Sequence, residues 1–408
     1  MKIAVIGSGI SGLSAAYYLS KSYKVDLFEQ DDHFGGHSFT YDIIDNNVTI
    51  PVDLGFIVFN ELTYPNLIKF FKELDVPFEK SNMSFSVSIK NSDIEYGGSS
   101  FSTIFSNKSN LLNLNFLNMI REIVIFYKNA PKLLDKNFKN ETLGSYLEKS
   151  KLSSYFINYH IIPMVAAIWS MPFSKAKQMP FKLFLNFFMN HGLFRLKDRP
   201  QWFTVTNRSR TYVKKVIKKI SGEVFKNYEV KKIIRNNYNI KVLIGNEYLD
   251  YDHVVLATHA DQSLKMIENP TSDEEKILGK FSYVSNTAIL HTDQELMPTK
   301  KQAWSSWNSI TKESKTCITY WLNKLQNLSA NKNYFLTLNP VQEIKSSDII
   351  NKVKFTHPYF NEGNIKIQND LNYIQGKKKT WFCGSYFGNG FHEDGLSSSL
   401  EMIKQFNK

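Results

Sequence analysis

Three glycines near the start of the chain have the spacing that holds the phosphates of a dinucleotide. The segment reads Gly7-Ser8-Gly9-Ile10-Ser11-Gly12. In this pattern the first glycine permits a tight turn, the second lets the backbone approach a pyrophosphate, and the third lets the following helix pack closely. The free N–H groups and the positive end of that helix would hold the phosphates. A glycine triplet alone is weak evidence, so the flanking elements decide.

The segments around the glycines have the patterns of a strand, a helix and a second strand. Ile3 to Ile6 is continuously apolar, as in a strand that is buried on both faces of a parallel sheet. Apolar residues with helical spacing follow the glycines, and Lys24 to Glu29 is typical of the next strand. Glu29 is placed to accept hydrogen bonds from a ribose diol and to repel a 2′-phosphate. These elements predict a Rossmann-like domain that binds a dinucleotide other than NADP.

Four later segments fit the same domain. They are Gly35-Gly36-His37, the paired strands from Gly222 to Ile233, the apolar strand from Asp252 to Thr258, and the strand from Trp381 to Ser385 with the loop and helix after it. With these segments in this order, the sequence resembles the flavin-containing amine oxidoreductase superfamily, which includes monoamine oxidases, protoporphyrinogen oxidase and phytoene desaturases.

The resemblance implies FAD as the cofactor. It places the Gly-Gly-basic element along the pyrophosphate, the backbone of Val230 at the adenine, and the start of the last helix at the flavin ring. N–H groups at a helix start would stabilise the negative charge of the reduced ring. The cofactor contacts expected on this basis are Gly7, Gly9, Ser11, Gly12, Glu29, Gly35, Gly36, His37, Val230, Gly384, Gly395 and Leu396.

One branch of the superfamily, described as predicted NAD/FAD-binding proteins, is similar along nearly the whole chain. Its matching phrases include Ile162-Pro163-Met164, Ile168-Trp169-Ser170, Asn190-His191-Gly192-Leu193, Arg199-Pro200-Gln201-Trp202, Ala303 to Asn308, Thr337 to Pro340 and Gly390 to Leu396. Some positions depart from the superfamily pattern: His37 replaces the usual arginine, Ser385 replaces an acid, and Thr206 to Ser209 replaces paired glycines. Monoamine oxidases carry a lysine near the flavin on a strand of the substrate domain, and residues 281–291 contain none.

The predicted fold is α/β. We expect a Rossmann-like FAD-binding domain, discontinuous in sequence, over residues 1–80, 200–265 and 376–408, and a mixed α+β substrate-binding domain over 81–199 and 266–375. Apolar residues with helical spacing predict helices within 111–134 and 153–195, and alternating patterns predict strands within 281–340.

Three side chains are candidates for proton transfer beside the flavin, which carries out the redox step itself. His392 and Glu393 directly precede the expected ring contact, and His191 lies in the third matching phrase. Each has a structural alternative. Acids such as Glu393 and Asp394 commonly cap a helix N-terminus, and His191 is also compatible with a position in the core. No Cys/His cluster has metal-site spacing, so no metal is predicted.

Charge and composition limit the partners. The chain has 50 Lys and Arg against 38 Asp and Glu, a net charge of +12, but no recognition module interleaves these cations with aromatics, so nucleic acid is not expected. A general composition bias or attraction to a membrane surface both explain the charge.

Pro163 and Pro172 interrupt the uncharged stretch between Lys151 and Lys175 and argue against a membrane span. We expect a cytoplasmic protein, with peripheral contact to the inner membrane surface left open.

The expected function is that of a FAD-dependent oxidoreductase that removes hydride from an apolar substrate. Relatives of the branch often occur beside lipid methyltransferases of the cyclopropane-fatty-acid type, which implies a fatty-acyl or other lipid substrate. A flavin amine oxidase that releases peroxide is one alternative. A non-catalytic binding protein with the flavin fold is another, and the oligomeric state stays unknown.

Overall fold

The computed structural model describes residues 1–136, 138, 140–169, 171–236, 238–313 and 315–408, so Ser170 in one of the matching phrases lies outside the described residues. The strands are β1 (Lys2–Ile6), β2 (Lys24–Glu29), β3 (Thr40–Asp45), β4 (Val48–Asp53), β5 (Phe59–Asn60), β6 (Phe78–Ser81), β7 (Phe85–Ile89), β8 (Glu95–Gly97), β9 (Trp202–Val205), β10 (Val224–Lys226), β11 (Val230–Arg235), β12 (Ile240–Ile244), β13 (Glu247–Tyr251), β14 (His253–Leu256), β15 (Ser282–His291), β16 (Trp307–Lys312), β17 (Lys315–Trp321), β18 (Phe335–Leu338), β19 (Ile349–Tyr359) and β20 (Thr380–Phe382).

The helices carry most of the connections between these strands. They are α1 (Ile10–Leu19), α2 (Pro65–Glu73), α3 (Phe101–Ile104), α4 (Leu114–Asn129), α5 (Leu143–Lys149), α6 (Ser154–Phe156), α7 (Ile162–Ile168), α8 (Phe173–Gln178), α9 (Phe181–Asn190), α10 (Arg210–Ile217), α11 (Ala260–Met266), α12 (Ser272–Leu278), α13 (Leu322–Leu325), α14 (Glu362–Ile367) and α15 (His392–Phe406).

A five-stranded parallel sheet, in the order β10-β2-β1-β14-β20, forms the centre of the nucleotide-binding part. Alternate residues of β1 enter two different cores. Ile3 and Val5 pack with α1, α2, α10 and α15, whereas Ala4 and Ile6 pack with β11, β12 and α12. Both faces of the sheet are therefore covered, which explains the continuous apolar run. All five strands lie in the three segments that the sequence assigns to the FAD-binding domain.

The second part combines a mixed sheet with a bundle of short helices. The sheet has seven strands in the order β19-β15-β18-β17-β16-β7-β8, in which only β16 and β7 are parallel neighbours. Helices α4 to α9 enclose a separate aromatic core around Phe116, Phe184 and Phe188. The predicted α/β fold with a parallel sheet is confirmed.

The uncharged stretch between Lys151 and Lys175 belongs to this helical core. It forms α6, a π-helical turn from Ile157 to Ile161, and α7, and its apolar side chains are buried or partly buried against the aromatic core, apart from the exposed Pro172. No helix in the described parts of the chain is long and apolar enough to cross a bilayer. The apolar character of the stretch is therefore explained by packing inside the protein.

The segment that replaces the expected paired glycines has a left-handed backbone at two positions. Asn207 and Arg208 have φ values of 60° and 76°, in the left-handed region that glycine favours. The buried guanidinium of Arg208 donates to the carbonyl oxygens of Pro51 and Gln326, both at 2.8 Å. Arg208 therefore links β4 to the end of α13, and it does not line the cavity described below.

A buried ion pair attaches β11 to α12. The side chains of Arg235 and Glu274 are 2% and 1% exposed, and Arg235 Nη2 lies 2.9 Å from Glu274 Oε2. We expect Arg235→Ala to lower the free energy of unfolding by about 3–5 kcal/mol, because the carboxylate stays buried without its partner. Lys232→Ala, which breaks a partly exposed pair with Glu268, is the matched control and should leave stability nearly unchanged. Denaturant unfolding measures both, and equal effects would contradict the assignment.

Candidate functional site

A cavity of about 1050 Å³ lies between the two parts of the molecule. This volume is at the upper end of small-molecule sites, which span about 300–1,000 Å³. The cavity is lined by the glycine turn before α1, by the loop between β20 and α15, by β19, and by residues of α4, α7 and α9. A ligand in this cavity would therefore contact both the nucleotide-binding part and the helical core.

The three glycines of the first turn differ in backbone conformation and in the space around them. Gly7 has a φ of +94°, which side-chain-bearing residues rarely adopt. A Cβ on Gly12 would lie 1.8 Å from the Gly7 carbonyl oxygen, so this glycine lets α1 pack onto the turn. A Cβ on Gly9 would meet no heavy atom within 4 Å. Gly9 therefore leaves open space beside the start of α1, as the close approach of a phosphate requires.

The start of α1 leaves its first amides available. No side chain caps this helix, and the first turn of a helix has no acceptors of its own for these N–H groups. Gly36 crosses above the turn, since its Cβ would lie 3.2 Å from the Gly9 Cα, and both Gly9 and Ser11 line the cavity. Gly12 and Gly35 do not line it, so they act on a ligand only by shaping the backbone.

Glu29 ends β2 in the cavity wall. One carboxylate oxygen accepts hydrogen bonds from the amide and hydroxyl of Ser8, at 2.9 and 2.6 Å, and the other accepts from the amide of Asp31 at 3.0 Å. The second oxygen, which accepts a single hydrogen bond, keeps room for a further donor. Val230 at the start of β11 lies in the same wall, so the residues predicted for the ribose and the adenine meet at one end of the cavity.

His37 occupies the position where the resemblance leads one to expect arginine. Burial, with the nearby His259, lowers the pKa of His37 to about 4, so the ring is neutral at pH 7. Its ring stacks on Phe355 at 5.2 Å, and its buried Nε2 has no hydrogen-bond partner. The site thus offers an unpaired imidazole nitrogen rather than a fixed cation at this position.

Gly395 and Leu396, predicted to contact the flavin ring, lie behind the cavity wall. Neither lines the cavity. A Cβ on Gly395 would lie 2.8 Å from Ser11 Oγ and 2.9 Å from Ile10 Cγ2, and Leu396 is completely buried in the core around α1. Of the three contacts predicted in this segment, Gly384 lines the cavity. The residues from Asn389 to His392 line it in place of Gly395 and Leu396.

His392 lines the cavity, and its ring is held on three sides. It stacks on Phe56 at 3.8 Å, and its Nε2 lies 2.9 Å from the Tyr212 hydroxyl and 3.1 Å from Ser38 Oγ. Burial, and then His37, lower the pKa of His392 to about 3. The ring is therefore neutral and oriented at physiological pH.

Glu393, the second catalytic candidate, has a structural role instead. Its two carboxylate oxygens accept the backbone amides of Asn66 and Leu67, each at 2.9 Å, and it does not line the cavity. Glu393 therefore caps the start of α2, a neighbouring helix. Asp394 caps its own helix by accepting the amide of Phe391 at 2.9 Å.

His191, the third candidate, lies at the end of α9 in the apolar arm of the cavity. We use this name for the part lined by Tyr127, Met164, Ile168, Trp169, Phe187 and His191. The His191 ring stacks on Phe187 at 3.7 Å, and its Nδ1 lies 3.0 Å from the Phe187 carbonyl oxygen. Because a carbonyl only accepts, Nδ1 carries the proton and Nε2 stays an acceptor. Burial lowers the pKa of His191 to about 4.

Three further histidines, His33, His259 and His357, line the cavity and were not predicted from the sequence. His357 on β19 lies 5.1 Å from the His37 ring, and its Nδ1 accepts the side-chain amide of Asn286 at 2.9 Å. His259, after β14, stacks on Tyr283 at 4.2 Å. Burial lowers the pKa of His357 to about 3 and that of His259 to about 4. Isolated histidines have no spacing pattern in the sequence, so it could not be predicted that they lie together in one cavity wall.

The strand at which the resemblance would place a flavin-facing lysine does not line the cavity. Strand β15 (Ser282–His291) covers nearly all of residues 281–291, and none of these residues is in the wall, whereas the neighbouring β19 contributes Val353 to Pro358. Three wall residues outside the predicted set carry buried polar atoms without a partner, namely Trp169 Nε1, Trp307 Nε1 and the Tyr386 hydroxyl. No group of residues in the described ranges could hold a metal ion.

Comparison with known proteins gives the same fold. A family model described as an NAD(P)-binding Rossmann-like domain matches residues 5–74. A solved structure from Exiguobacterium sp. 255-15, described as a protoporphyrinogen oxidase, matches with a TM-score of 0.70 at 13% identity over 99% of this chain and 98% of that one. No curated protein sequence matches the chain.

Two other solved structures have equally complete overlap. The CLA-producing fatty acid isomerase from P. acnes has a TM-score of 0.68 at 13% identity, covering 99% of this chain and 98% of that one. Cyclohexylamine oxidase from Brevibacterium oxydans IH-35A has a TM-score of 0.66 at 12% identity, covering 100% and 99%. At these identities the likeness shows the fold, and the resemblance to flavin-containing amine oxidoreductases is confirmed at that level.

The neutral state of His392 predicts a pH dependence of stability. The pKa of His392 is about 3 in the folded protein and ordinarily 6.5. Between these two pH values the ring is therefore protonated in the unfolded chain and neutral in the folded one. Stability should therefore fall as the pH drops below 6.5, by up to about 1.4 kcal/mol per pH unit for this ring. His392→Phe preserves the stack on Phe56 and should flatten the curve by that amount, as measured by denaturant unfolding from pH 7 to pH 5. An unchanged slope would show that the ring titrates normally.

Proposed function

We propose that the protein is a FAD-dependent oxidoreductase that removes hydride from an apolar, fatty-acyl or other lipid substrate. The observation that carries this proposal is the single cavity that joins the open space at Gly9 to the apolar arm. The fold is that of solved structures described as oxidases and as a fatty acid isomerase, which supports a redox or isomerising chemistry on an organic substrate.

The nucleotide end has the groups that FAD requires. The uncapped amides at the start of α1 would hold the pyrophosphate, Glu29 the ribose, and the backbone of Val230 the adenine. The unpaired Nε2 of His37 would accept a hydrogen bond from the ribityl chain. FAD, when bound, supplies the acceptor for the hydride that leaves the substrate.

The charges in the wall favour an apolar substrate over a protonated amine. Among the described wall residues the acids are Glu29, Asp31 and Glu229, and all three lie in the segments that surround the nucleotide end. The apolar arm has aromatic and aliphatic side chains, with Arg199 as the charged residue beside Tyr127. Burying an ammonium group without a carboxylate partner costs several kcal/mol, roughly.

The histidines orient the substrate in this proposal. The Nε2 of His191 is a neutral acceptor inside the apolar arm, available to a hydroxyl, an acid or an activated C–H proton of the substrate. His392 is held by Phe56, Tyr212 and Ser38, so its ring is a fixed part of the cavity wall between the nucleotide end and the apolar arm.

Loss of the space at Gly9 tests the cofactor assignment. The purified protein should contain FAD. The Gly9→Val variant should lose roughly nine-tenths or more of this FAD, because the valine side chain would occupy the space that the phosphates need. The fold should tolerate the change, since a Cβ on Gly9 meets no protein atom within 4 Å. Gly98→Ala is the control, since its Cβ would have one contact at 3.9 Å. Flavin absorbance and thermal unfolding measure occupancy and fold. A colourless wild-type protein that does not take up FAD would refute the proposal.

Anaerobic reduction tests the substrate class. Fatty acids, acyl esters and phospholipids should bleach the flavin band, and amines should leave it oxidised. Phe187→Ala should raise the substrate KM about tenfold or more, a loss of about 1.4 kcal/mol, with FAD content unchanged. The exposed Tyr373→Ala, outside the cavity wall, should match the wild type. Bleaching by amines with peroxide release would favour an amine oxidase, and no bleaching by any substrate would favour a binding protein.

A further inference from the structure

Helix α4 has two faces of different character. The side chains of Phe116, Met119, Phe126 and Tyr127 are buried in the aromatic core. The opposite stripe consists of Leu114, Leu117, Arg121, Ile125 and Lys128, which follow one another at intervals of three or four residues and are all exposed. Three apolar side chains and two cations therefore share one solvent-facing stripe, with no acid among them.

The turn before α4 extends this apolar stripe. Leu111 is 44% exposed, Leu112 is 88% exposed, and Leu114 is 81% exposed, all within four residues. Phe101 in α3 is 71% exposed and contacts Phe105 at 4.7 Å, which in turn packs on the α4 residue Phe116 at 6.0 Å. We call the set Phe101, Leu111, Leu112, Leu114, Leu117, Ile125, Arg121 and Lys128 the α4 surface.

The charges at this surface are unpaired cations. Arg121 and Lys128 form no ion pair with any acid that the structure describes, and Lys108 beside Leu111 is likewise without one. The acid nearest in the sequence, Glu122, is turned away, because its carboxylate accepts the amide of Ser153 at 2.9 Å. The charged side chains of the α4 surface itself, Arg121 and Lys128, are therefore both cations.

We propose that the α4 surface docks on a lipid bilayer with anionic headgroups. A helix that shows leucine and isoleucine together with arginine and lysine fits the interface plane, where the apolar side chains enter the acyl boundary and the cations meet the headgroups. Contiguous exposed apolar side chains of this number are unusual on a protein that has no partner for them. A second copy fits less well, because a twofold contact would bring Arg121 and Lys128 against the same cations of the other molecule.

The position of the surface relates it to the cavity. Tyr127, on the buried face of α4, lines the apolar arm, and its hydroxyl is held by His160 Nε2 at 2.8 Å. A bilayer on the outer face of α4 would thus lie one helix away from the arm. The docking proposal does not rest on the enzymatic one, since the surface is exposed whether or not FAD occupies the cavity.

Vesicle cosedimentation of the purified full-length chain tests the docking. The wild type should bind vesicles of phosphatidylglycerol and phosphatidylethanolamine at least tenfold more tightly than vesicles of phosphatidylcholine alone. The double variant Leu112→Asp/Leu114→Asp should lose that binding at least tenfold. Arg121→Glu/Lys128→Glu should lose only the preference for the anionic vesicles. Tyr238→Asp, which changes a side chain of equal exposure elsewhere, is the control and should bind as the wild type does.

Three results would overturn the docking proposal. The first is that the wild type binds neither kind of vesicle, and the second is that the Leu112→Asp/Leu114→Asp variant binds as well as the wild type. The third is that the wild type binds no vesicles but forms a dimer, which the same two substitutions dissociate. Thermal unfolding and FAD content, which should be unchanged in all variants, separate loss of docking from loss of fold. Leu112→Cys carrying an environment-sensitive dye gives an independent readout, because Cys317 and Cys383 are buried, and its emission should shift to the blue on anionic vesicles.

Discussion

The close contact between the first and last helices is the constraint on which the rest of the structure depends. Gly395 has no side chain where a Cβ would meet Ser11 and Ile10, so α15 can approach the start of α1. One turn further along, the buried hydroxyls of Ser14 and Ser399 lie 2.6 Å apart, although 385 residues separate them in the chain. This contact adds β20 to the parallel sheet and brings the loop before α15 to the glycine turn. The cavity exists because these two ends meet.

The elements near the cofactor end could be predicted from sequence because local rules determine them. A glycine turn, a buried strand and a terminal acid each have a pattern within a few residues, and Gly9 and Glu29 lie in the cavity wall as that pattern implies. The roles of single residues there stay predictions, since a wall position does not by itself show a bound ligand. Asn207 and Arg208 show the limit of such patterns: both have a left-handed backbone, which glycine favours, although the expected glycines are absent.

The rest of the site depends on contacts between distant segments, which a local pattern does not contain. The sequence shows that Glu393 opens a helix, but only the packed structure shows that α2 begins beside it and takes its carboxylate. Likewise, β15 and β19 are neighbours in one sheet, and the sheet's position decides that β19 faces the cavity. The histidines are neutral because other elements bury them, so their chemistry follows from the fold and not from their own spacing.

The two faces of α4 connect the charge of the protein with the character of its cavity. The protein has a net charge of +12, and Arg199 is a cation beside the apolar arm, so the arm stays largely apolar only if the cations of α4 point away from it. Along α4 they do: Arg121 and Lys128 face solvent, while Phe126 and Tyr127 face the core. The bond from Tyr127 to His160 fixes the rotation of the helix about its axis. The same rotation that places an aromatic side chain in the arm therefore places leucines and cations outside, so the two surfaces are set by one packing arrangement.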